Sequence, residues 1–254
     1  MNRIQKIFKE KSEKIIPFIT AGYPGKEYTI EMVFAAEAAG ASMVEIGIPF
    51  SDPLADGPII QNSSQIALKN GVTTSWILEI VSKIREKSEI PITLMGYINP
   101  ILKYGVNEFL VDCKSSGVDG LIIPDLPIEE GGELISKAKN LDISPILLVA
   151  PNTPNARIEK ISEVAGDLIY CVAILGVTGS SASSKNELTQ YLDRVKDHSS
   201  CPFIVGFGIA SRSDVVEINS VADGAVVGSA LIKLIDKNPN PSEIVKNYIK
   251  ELIK

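Results

Sequence analysis

The sequence has few of the residues that usually carry metal or nucleophilic chemistry. Its 254 residues include one histidine and three cysteines, and the cysteines have no C-x-x-C spacing. Because the single histidine, His198, falls in a polar segment between a predicted helix and a predicted strand, we exclude a histidine-based metal site and a Ser-His-Asp triad. The odd number of cysteines favours buried, reduced thiols and predicts a cytoplasmic protein.

Basic clusters and long apolar runs are also lacking. The formal net charge is −6, and no group of lysines and arginines could neutralise a nucleic acid or an anionic membrane. No apolar run approaches the roughly 20 residues that a membrane-spanning helix needs. The first fourteen residues alternate in charge and lack the apolar centre of a secretory signal. We therefore expect small-molecule or protein partners, with no nucleic acid and no membrane.

Eight apolar segments rich in β-branched residues run along the chain, and a helical pattern follows each of them. Such an alternation favours a parallel sheet covered by helices, and eight units in about 250 residues are typical of a closed barrel. A doubly wound open sheet is disfavoured because no G-x-G-x-x-G turn follows the first segment. We predict an α/β fold, a single-domain (β/α)8 TIM barrel over residues 1–254 with an extra N-terminal helix. The predicted strands are Ile15–Ala21, Met43–Ile48, Pro91–Ile98, Gly120–Asp125, Ile143–Ala150, Leu168–Ala173, Pro202–Ile209 and Gly224–Leu231. The predicted helices include Glu27–Ala39, Thr73–Lys87, Asn107–Ser116, Glu129–Asn140, Asn155–Val164, Glu187–Asp197, Ser211–Asn219 and Pro241–Ile253.

Two carboxylates mark the end of the second predicted strand. Alternation places Glu45 on the face opposite to the apolar Val44 and Ile46. An unpaired buried charge costs several kcal/mol, so Glu45 is either tied into a polar network or functional. The next loop holds Asp56 among three prolines and a glycine, which restrict the backbone. Together, Glu45 and Asp56 predict an acid/base site.

Glycines at the ends of the last predicted strands indicate a phosphate site. In barrels, the loops after strands seven and eight often bind phosphate through backbone N–H groups. Gly208 and Gly228 would let the main chain approach the phosphate, Ser229 adds a hydroxyl donor, and Gly179 lies in the loop after strand six. The run of small residues over 176–184 predicts a lid that closes over substrate, with an ordinary mobile loop as the alternative.

The reaction class follows from what the predicted strands hold. None contains a lysine, which disfavours a Schiff-base aldolase, and no ligand cluster supports a metal, so we predict no metal site. The pattern therefore favours proton transfer by carboxylates on a phosphorylated substrate.

Eight sequence motifs are similar, in order and spacing, to those of one enzyme family. The motifs are PFITAGYPG, EIGIPFSDPLADGPIIQ, LMGYINPILKYG, GLIIPDLP, LLVAPNTP, GVTGS, VGFGI and VVGSA. With them, the chain resembles the alpha subunit of tryptophan synthase over essentially its whole length.

The resemblance implies a retro-aldol cleavage of indole-3-glycerol phosphate to indole and glyceraldehyde 3-phosphate. Glu45 is similar to the family's general acid/base, and Asp56 to the carboxylate that meets the indole N–H. Thr178 matches the lid threonine that meets the loop aspartate on closure. Gly179, Gly208, Gly228 and Ser229 match the phosphate cradle. The positions that match the indole pocket are Phe18, Tyr97, Ile122, Asp125 and Tyr170; Tyr170 is equally compatible with a plain core aromatic.

The same resemblance implies a partner. The family works as an α2β2 complex with a beta subunit that carries pyridoxal phosphate, and this chain would hold no cofactor itself. The partner would face Pro49–Asp56, Asn99–Tyr104 and Gly179–Asn186. Two alternatives stay open: a stand-alone indole-3-glycerol-phosphate lyase, and a non-catalytic subunit that activates a beta partner.

Overall fold

Eight parallel strands form the centre of the molecule. The computed structural model describes residues 1–172, 183–206 and 208–254, with the side chains of α9, the helix over Ser183–His198, described from residue 186 onward. In these ranges each strand pairs with the next, and the last pairs with the first, so the sheet closes into a barrel. This confirms the predicted TIM barrel. The strands are β1 Ile15–Thr20, β2 Val44–Gly47, β3 Ile92–Met95, β4 Gly120–Ile122, β5 Ser144–Val149, β6 Ile169–Val172, β7 Phe203–Gly206 and β8 Gly224–Val227.

Helices surround the barrel and close its lower end. The predicted N-terminal helix is present but short, and a capping box between Asn2 and Gln5 begins it. A 3-10 turn over Lys26–Tyr28 precedes the second helix. Besides α9, the helices are α1 Arg3–Ile7, α2 Thr29–Ala39, α3 Pro58–Lys69, α4 Thr74–Arg85, α5 Ile98–Tyr104, α6 Val106–Ser116, α7 Gly132–Asn140, α8 Asn155–Ala165, α10 Arg212–Asn219, α11 Ser229–Ile235 and α12 Pro241–Ile253.

The strands separate two apolar cores, as their alternation predicts. Val44 and Ile46 face outward and pack in the core beneath the helices. Met43 belongs to a smaller core inside the barrel, together with Ile4 from α1. A Cβ atom at Gly120 would lie 2.8 Å from Cδ1 of Ile4, so glycine at this position makes room for the side chain of α1. The lower end of the barrel is therefore filled.

Hydrogen bonds fasten α1 beneath the strands. The side-chain amide of Asn2 donates to Ser144 Oγ at 2.7 Å, and that of Gln5 donates to Asp167 Oδ1 at 2.7 Å. Arg3 Nη1 lies 3.1 Å from Asp119 Oδ1. Since these bonds join α1 to the N-terminal ends of strands, α1 blocks the barrel interior from this end.

Three helices differ from the sequence-based prediction, which names none at α3, α5 or α11. Strand β3 ends at Met95 and strand β8 at Val227, whereas the predicted strands continue to Ile98 and Leu231. A helix begins within three residues of each strand end: α5 follows β3, and α11 follows β8. The extra helices all follow C-terminal strand ends, where they surround the open end of the barrel.

The outer surface carries the single tryptophan of the sequence, Trp76 on α4. The ammonium group of Lys26 lies 4.7 Å from the centroid of its indole ring, a cation–π distance. Across the described parts of the chain, every helix is too short or too polar to cross a membrane.

Candidate active site

A cavity of about 710 Å³ opens at the C-terminal end of the barrel. Residues of β1, β2, β6 and the segments after β7 and β8 line it, which is the location of active sites in this fold. It brings together seven of the predicted site residues: Phe18, Glu45, Asp56, Tyr170, Gly208, Gly228 and Ser229.

Glu45 projects from β2 into this cavity. Only 1% of the surface of Glu45 is exposed, and neither of its carboxyl oxygens has a hydrogen-bond partner among the described residues. Burial raises the pKa of Glu45 to about 8, and the nearby charge of Asp56 acts in the same direction. A carboxyl group with this pKa is mostly protonated at pH 7, so it can donate a proton.

Asp56 lies in the loop between β2 and α3, and hydrogen bonds fix the backbone around it. Its N–H donates to Pro53 O at 3.0 Å, and its own carbonyl accepts from Gln61 Nε2 at 2.9 Å. The Ala55 N–H donates to the Tyr97 hydroxyl at 2.9 Å. Burial raises the pKa of Asp56 to about 6, and the Tyr97 hydroxyl opposes this rise. At pH 7, therefore, Asp56 is mostly ionised while Glu45 is mostly protonated.

Two aromatic rings form the apolar walls of the cavity, and a glycine makes room for each. A Cβ atom at Gly47 would overlap the ring of Phe18, and one at Gly206 would overlap the hydroxyl of Tyr170. Burial raises the pKa of Tyr170 well above its ordinary value, so its hydroxyl stays neutral. Both rings therefore line the same cavity as Glu45.

The opposite wall of the cavity consists of backbone. Gly208 has a φ of +78°, a conformation that favours glycine. Gly228 is the N-cap of α11, and Ser229 is its first residue. Both residues line the cavity, so the first N–H groups of α11, which have no partner within the helix, are available there as hydrogen-bond donors. This wall suits an anionic group such as a phosphate.

Comparison with known proteins agrees with this geometry. The family model described as "Tryptophan synthase alpha chain" matches residues 4–254. Among curated relatives, the tryptophan synthase alpha chain of Petrotoga mobilis is 45% identical over 254 residues, with 100% of this chain and 98% of the relative covered. That of Caldanaerobacter subterraneus is 46% identical over 257 residues, covering 100% and 97%. The chain belongs to the tryptophan synthase alpha chain family. Membership confirms the predicted assignment to the alpha reaction of tryptophan biosynthesis.

Solved structures of this family have the same fold. One describes mutual activation of the tryptophan synthase α2β2 complex from the hyperthermophile Pyrococcus furiosus; it superposes with a TM-score of 0.88 at 39% identity, covering 94% of this chain and 97% of that one. A crystal structure of the tryptophan synthase complex from the same organism gives a TM-score of 0.87 at 38% identity, with the same coverage.

Three predicted site residues of this alpha-chain family member do not line the cavity: Tyr97, Ile122 and Asp125. Tyr97 contacts the Asp56 loop, and Ile122 is buried in the inner core beside β3. Asp125 lies beyond the end of β4, where its carboxylate accepts the Ile98 N–H at 2.9 Å and so fixes the start of α5. The predicted lid residues Thr178 and Gly179 fall outside the described residues.

The structure adds cavity residues that the sequence analysis does not name. Ile60 on α3 and Met95 on β3 extend the apolar wall, and Lys233 and Lys237 bring positive charge to the phosphate end. The strand alternation could have identified Met95, since it lies two residues after the inward-facing Thr93. The lysines could not be found, because their placement depends on α11.

A second cavity of about 830 Å³ lies at the other end of the barrel, between the segment after α1 and the start of β7. Its acidic residues, Glu10, Glu13 and Asp223, are exposed. It therefore offers no desolvated acid comparable to Glu45. Within the described ranges, no group of three His, Cys, Asp or Glu side chains could hold a metal ion.

Proposed function

We propose that Glu45 is the general acid/base of a retro-aldol lyase that cleaves indole-3-glycerol phosphate to indole and glyceraldehyde 3-phosphate. The observation that carries the proposal is a buried, unpartnered carboxyl group in an apolar cavity that also contains a second carboxylate. The family of the chain, whose alpha reaction is this cleavage, supports the same reaction.

The proposed reaction needs two proton transfers, one to indole C3 and one from the hydroxyl on the side-chain carbon bonded to C3. Glu45 donates its proton to indole C3, which makes the ring an electron acceptor. The ionised Glu45 then takes the proton of the side-chain hydroxyl next to C3; the C–C bond breaks, and its electron pair returns to the ring. A pKa near neutrality allows one group to serve in both directions, and the proton count of Glu45 is unchanged after one turnover.

Asp56 and the phosphate wall complete the proposed site. The Asp56 carboxylate accepts a hydrogen bond from the indole N–H and stabilises the positive charge that develops on the ring. Phe18 and Tyr170 hold the flat ring, while Gly208, Gly228 and Ser229 bind the phosphate, with Gly179 from the lid. Tyr97, Ile122 and Asp125 support the pocket, and Thr178 meets Asp56 when the lid closes.

A beta subunit is the proposed partner. Two exposed leucines lie on the segments that we expect to face it: Leu54 is 94% exposed and Leu102 is 57% exposed. We propose that the beta subunit buries these two side chains, since the burial of an exposed leucine favours association. The Pyrococcus furiosus relative is described as an α2β2 complex. Pyridoxal phosphate would belong to the beta subunit, since every proposed step in this chain uses its own side chains.

We also propose that residues 1–254 act as a single catalytic domain in the cytoplasm. In support, α1 at one end of the sequence fills the barrel, and α12 at the other end packs on α2. Both ends of the sequence thus contribute to one structure.

The release of glyceraldehyde 3-phosphate from indole-3-glycerol phosphate, followed with and without a beta subunit, tests the function. We expect a slow rate alone and a much faster rate with the partner. A fast rate without the partner would indicate a stand-alone lyase, and no release in either case would leave only a regulatory role.

The substitution Glu45→Gln tests the assigned residue. It keeps the size of the side chain but can neither donate nor accept the proton, so we expect kcat to fall by about 10³-fold or more with a small change in substrate affinity. Thermal unfolding and equilibrium binding of the substrate are the controls for folding. Turnover within tenfold of the unsubstituted enzyme would contradict the role of Glu45.

A further inference from the structure

Thr93 on β3 is a second buried side chain whose polar atom lacks a partner. The residue is 0% exposed, and its hydroxyl has no hydrogen-bond partner within the described ranges. In those same ranges, the other unpartnered buried side-chain oxygens are the two of Glu45. Buried polar groups are normally hydrogen-bonded, so two exceptions close together call for a common explanation.

Strand pairing places these two residues side by side. Glu45 on β2 is paired with Thr93 on β3. Neighbouring strands are about 4.8 Å apart, and paired residues of parallel strands project from the same face. On its other side Glu45 is paired with Phe18, which has no hydrogen-bonding side-chain group. Of the two strand neighbours of Glu45, only Thr93 can hydrogen-bond to it.

The packing around Thr93 fixes its side chain. Its methyl group lies 3.0 Å from where a Cβ of Gly120 would be, next to Ile4 and Ile146 of the inner core. A β-branched side chain is stiff at χ1. The methyl contact therefore fixes χ1 of Thr93, and with it the direction of the hydroxyl. Glu45 has three side-chain torsions and is the partner that can rotate.

We propose that Thr93 is a positioning residue for Glu45: the Glu45 side chain, which has no partner among the described residues, rotates towards β3 in solution, and the Thr93 hydroxyl then holds its carboxyl group by a hydrogen bond. This rests on the proposed function, in which Glu45 alternates between an acid and a carboxylate. A hydroxyl is both a donor and an acceptor, so it can accept from the acid and donate to the carboxylate. An ammonium group can only donate, so it would match the carboxylate but could not accept from the acid.

Other charged and titratable groups face the same cavity. Asp56 in the loop after β2 raises the pKa of Glu45. Tyr170 on β6 is buried and neutral, and Lys233, Lys237 and Glu251 lie at the mouth. Replacing the Thr93 hydroxyl leaves all of them in place, so a change in Glu45 titration can be assigned to the lost hydrogen bond.

The test is Thr93→Val, which keeps the shape and removes the hydroxyl. Since a hydrogen bond to a charged group favours the ionised form, we expect the pKa of Glu45 to rise by about one unit and kcat to fall about tenfold, with KM within about twofold. The titration is followed by NMR of protein labelled with carbon-13 at the glutamate carboxyl groups. The signal of Glu45 is the one that disappears in Glu45→Gln.

Two control variants separate the hydroxyl from packing. Thr93→Ser keeps the hydroxyl and should retain the unsubstituted Glu45 titration and kcat within about threefold. Thr20→Val removes a buried hydroxyl that lies 2.7 Å from Ser63 Oγ, and should leave the Glu45 titration unchanged.

Identical titration and kcat in Thr93→Val and the unsubstituted enzyme would overturn the proposal. Equal losses in Thr93→Val and Thr93→Ser would overturn it too, because a variant that keeps the hydroxyl would then behave like one that lacks it. A protein that fails to cleave the substrate would contradict the proposed function instead, and the NMR titration would still decide the link between Thr93 and Glu45.

Discussion

Burying a carboxyl group without a hydrogen-bond partner costs folding free energy, and Glu45 is such a group. The cost is smallest while the group is protonated, because the neutral acid is more easily desolvated than the carboxylate. The chain retains a destabilising residue in the interior of a strand that is otherwise apolar. That is expected where the same desolvation sets the pKa for proton transfer.

The stability of the protein should therefore depend on the ionisation of Glu45. Its pKa is 4.5 ordinarily and about 8 in the folded chain. Between these values the folded state binds more protons than the unfolded state, so the contribution of Glu45 to stability falls by about 1.4 kcal/mol per pH unit as pH rises. Glutamine does not ionise, so the stability of Glu45→Gln does not fall in this way. The free energy of unfolding of Glu45→Gln, minus that of the unsubstituted protein, should therefore increase from pH 5 to pH 8.

Urea unfolding at several pH values measures this difference. The exposed Glu86 provides the control, since Glu86→Gln should keep the pH dependence of the unsubstituted protein. A constant difference between Glu45→Gln and the unsubstituted protein over this range would mean that Glu45 is not desolvated in the folded chain.

Single residues could be predicted where a local pattern determines their direction. Strand alternation is enough to place Glu45 inside the barrel, and the family motif is enough to nominate Asp56. The missing bond of Thr93 could not be predicted, because it depends on which residues of β2 and β4 lie beside it. The pKa values depend in the same way on packing from several strands.

At the level of elements, the strands were predictable and several helices were not. The strands are apolar on both faces and are separated by polar segments, which makes them easy to recognise. Helix α3 begins at Pro58, directly after the loop that contains Asp56, and its buried residues are the small Ser63, Ser64 and Ala67. Helix α11 follows β8 after a single glycine, and its Ala230 and Leu231 continue the apolar run of the strand.

Gly47 in β2 and Gly206 in β7 leave room for the side chains of Phe18 and Tyr170. Substituting Gly206 by alanine should displace the Tyr170 hydroxyl, because the new methyl group would occupy its position. We expect the KM for indole-3-glycerol phosphate to rise about tenfold, the equivalent of about 1.4 kcal/mol of binding energy. Steady-state kinetics measures this change.

Gly132, at the start of α7, provides a matched control. A Cβ atom there would have no neighbour within 4 Å, so Gly132→Ala should leave KM unchanged. If Gly206→Ala and Gly132→Ala gave the same KM as the unsubstituted enzyme, Tyr170 would not form a wall of the indole pocket.

Considered as a whole, the molecule separates stability and function between the two ends of the barrel. Helix α1 and its hydrogen bonds close the lower end, while the cavity and the exposed Leu54 and Leu102 are at the upper end. The proposed partner therefore binds where the substrate enters, and it can influence the loop that contains Asp56 without disturbing the lower core.

The substitution Leu102→Ser tests this partner surface. Burying a leucine contributes about 1.5–3 kcal/mol, so losing it should raise the beta-subunit concentration needed for half-maximal activation by about tenfold or more. The rate without the partner should not change, since Leu102 is on the outer side of α5. Titration of the lyase rate with beta subunit gives both values.

Val216 on α10 is the control, because it is an apolar helix residue that is 45% exposed and distant in sequence from the proposed surface. We expect Val216→Ser to be activated normally. Unaltered activation of Leu102→Ser would place the partner on another face.

Trp76, which forms the cation–π pair with Lys26, gives the protein an intrinsic fluorescent probe at a defined position. Because the sequence has one tryptophan, all indole emission from the protein comes from a single position on α4. The three residues before Trp76, Thr73–Ser75, form walls of a pocket of about 480 Å³ together with Pro49–Ser51 and Lys103, which follows Leu102 in the chain. A tryptophan-free beta subunit that covered this pocket would change the emission wavelength or the intensity of Trp76 fluorescence. Complex formation could then be followed without an attached dye.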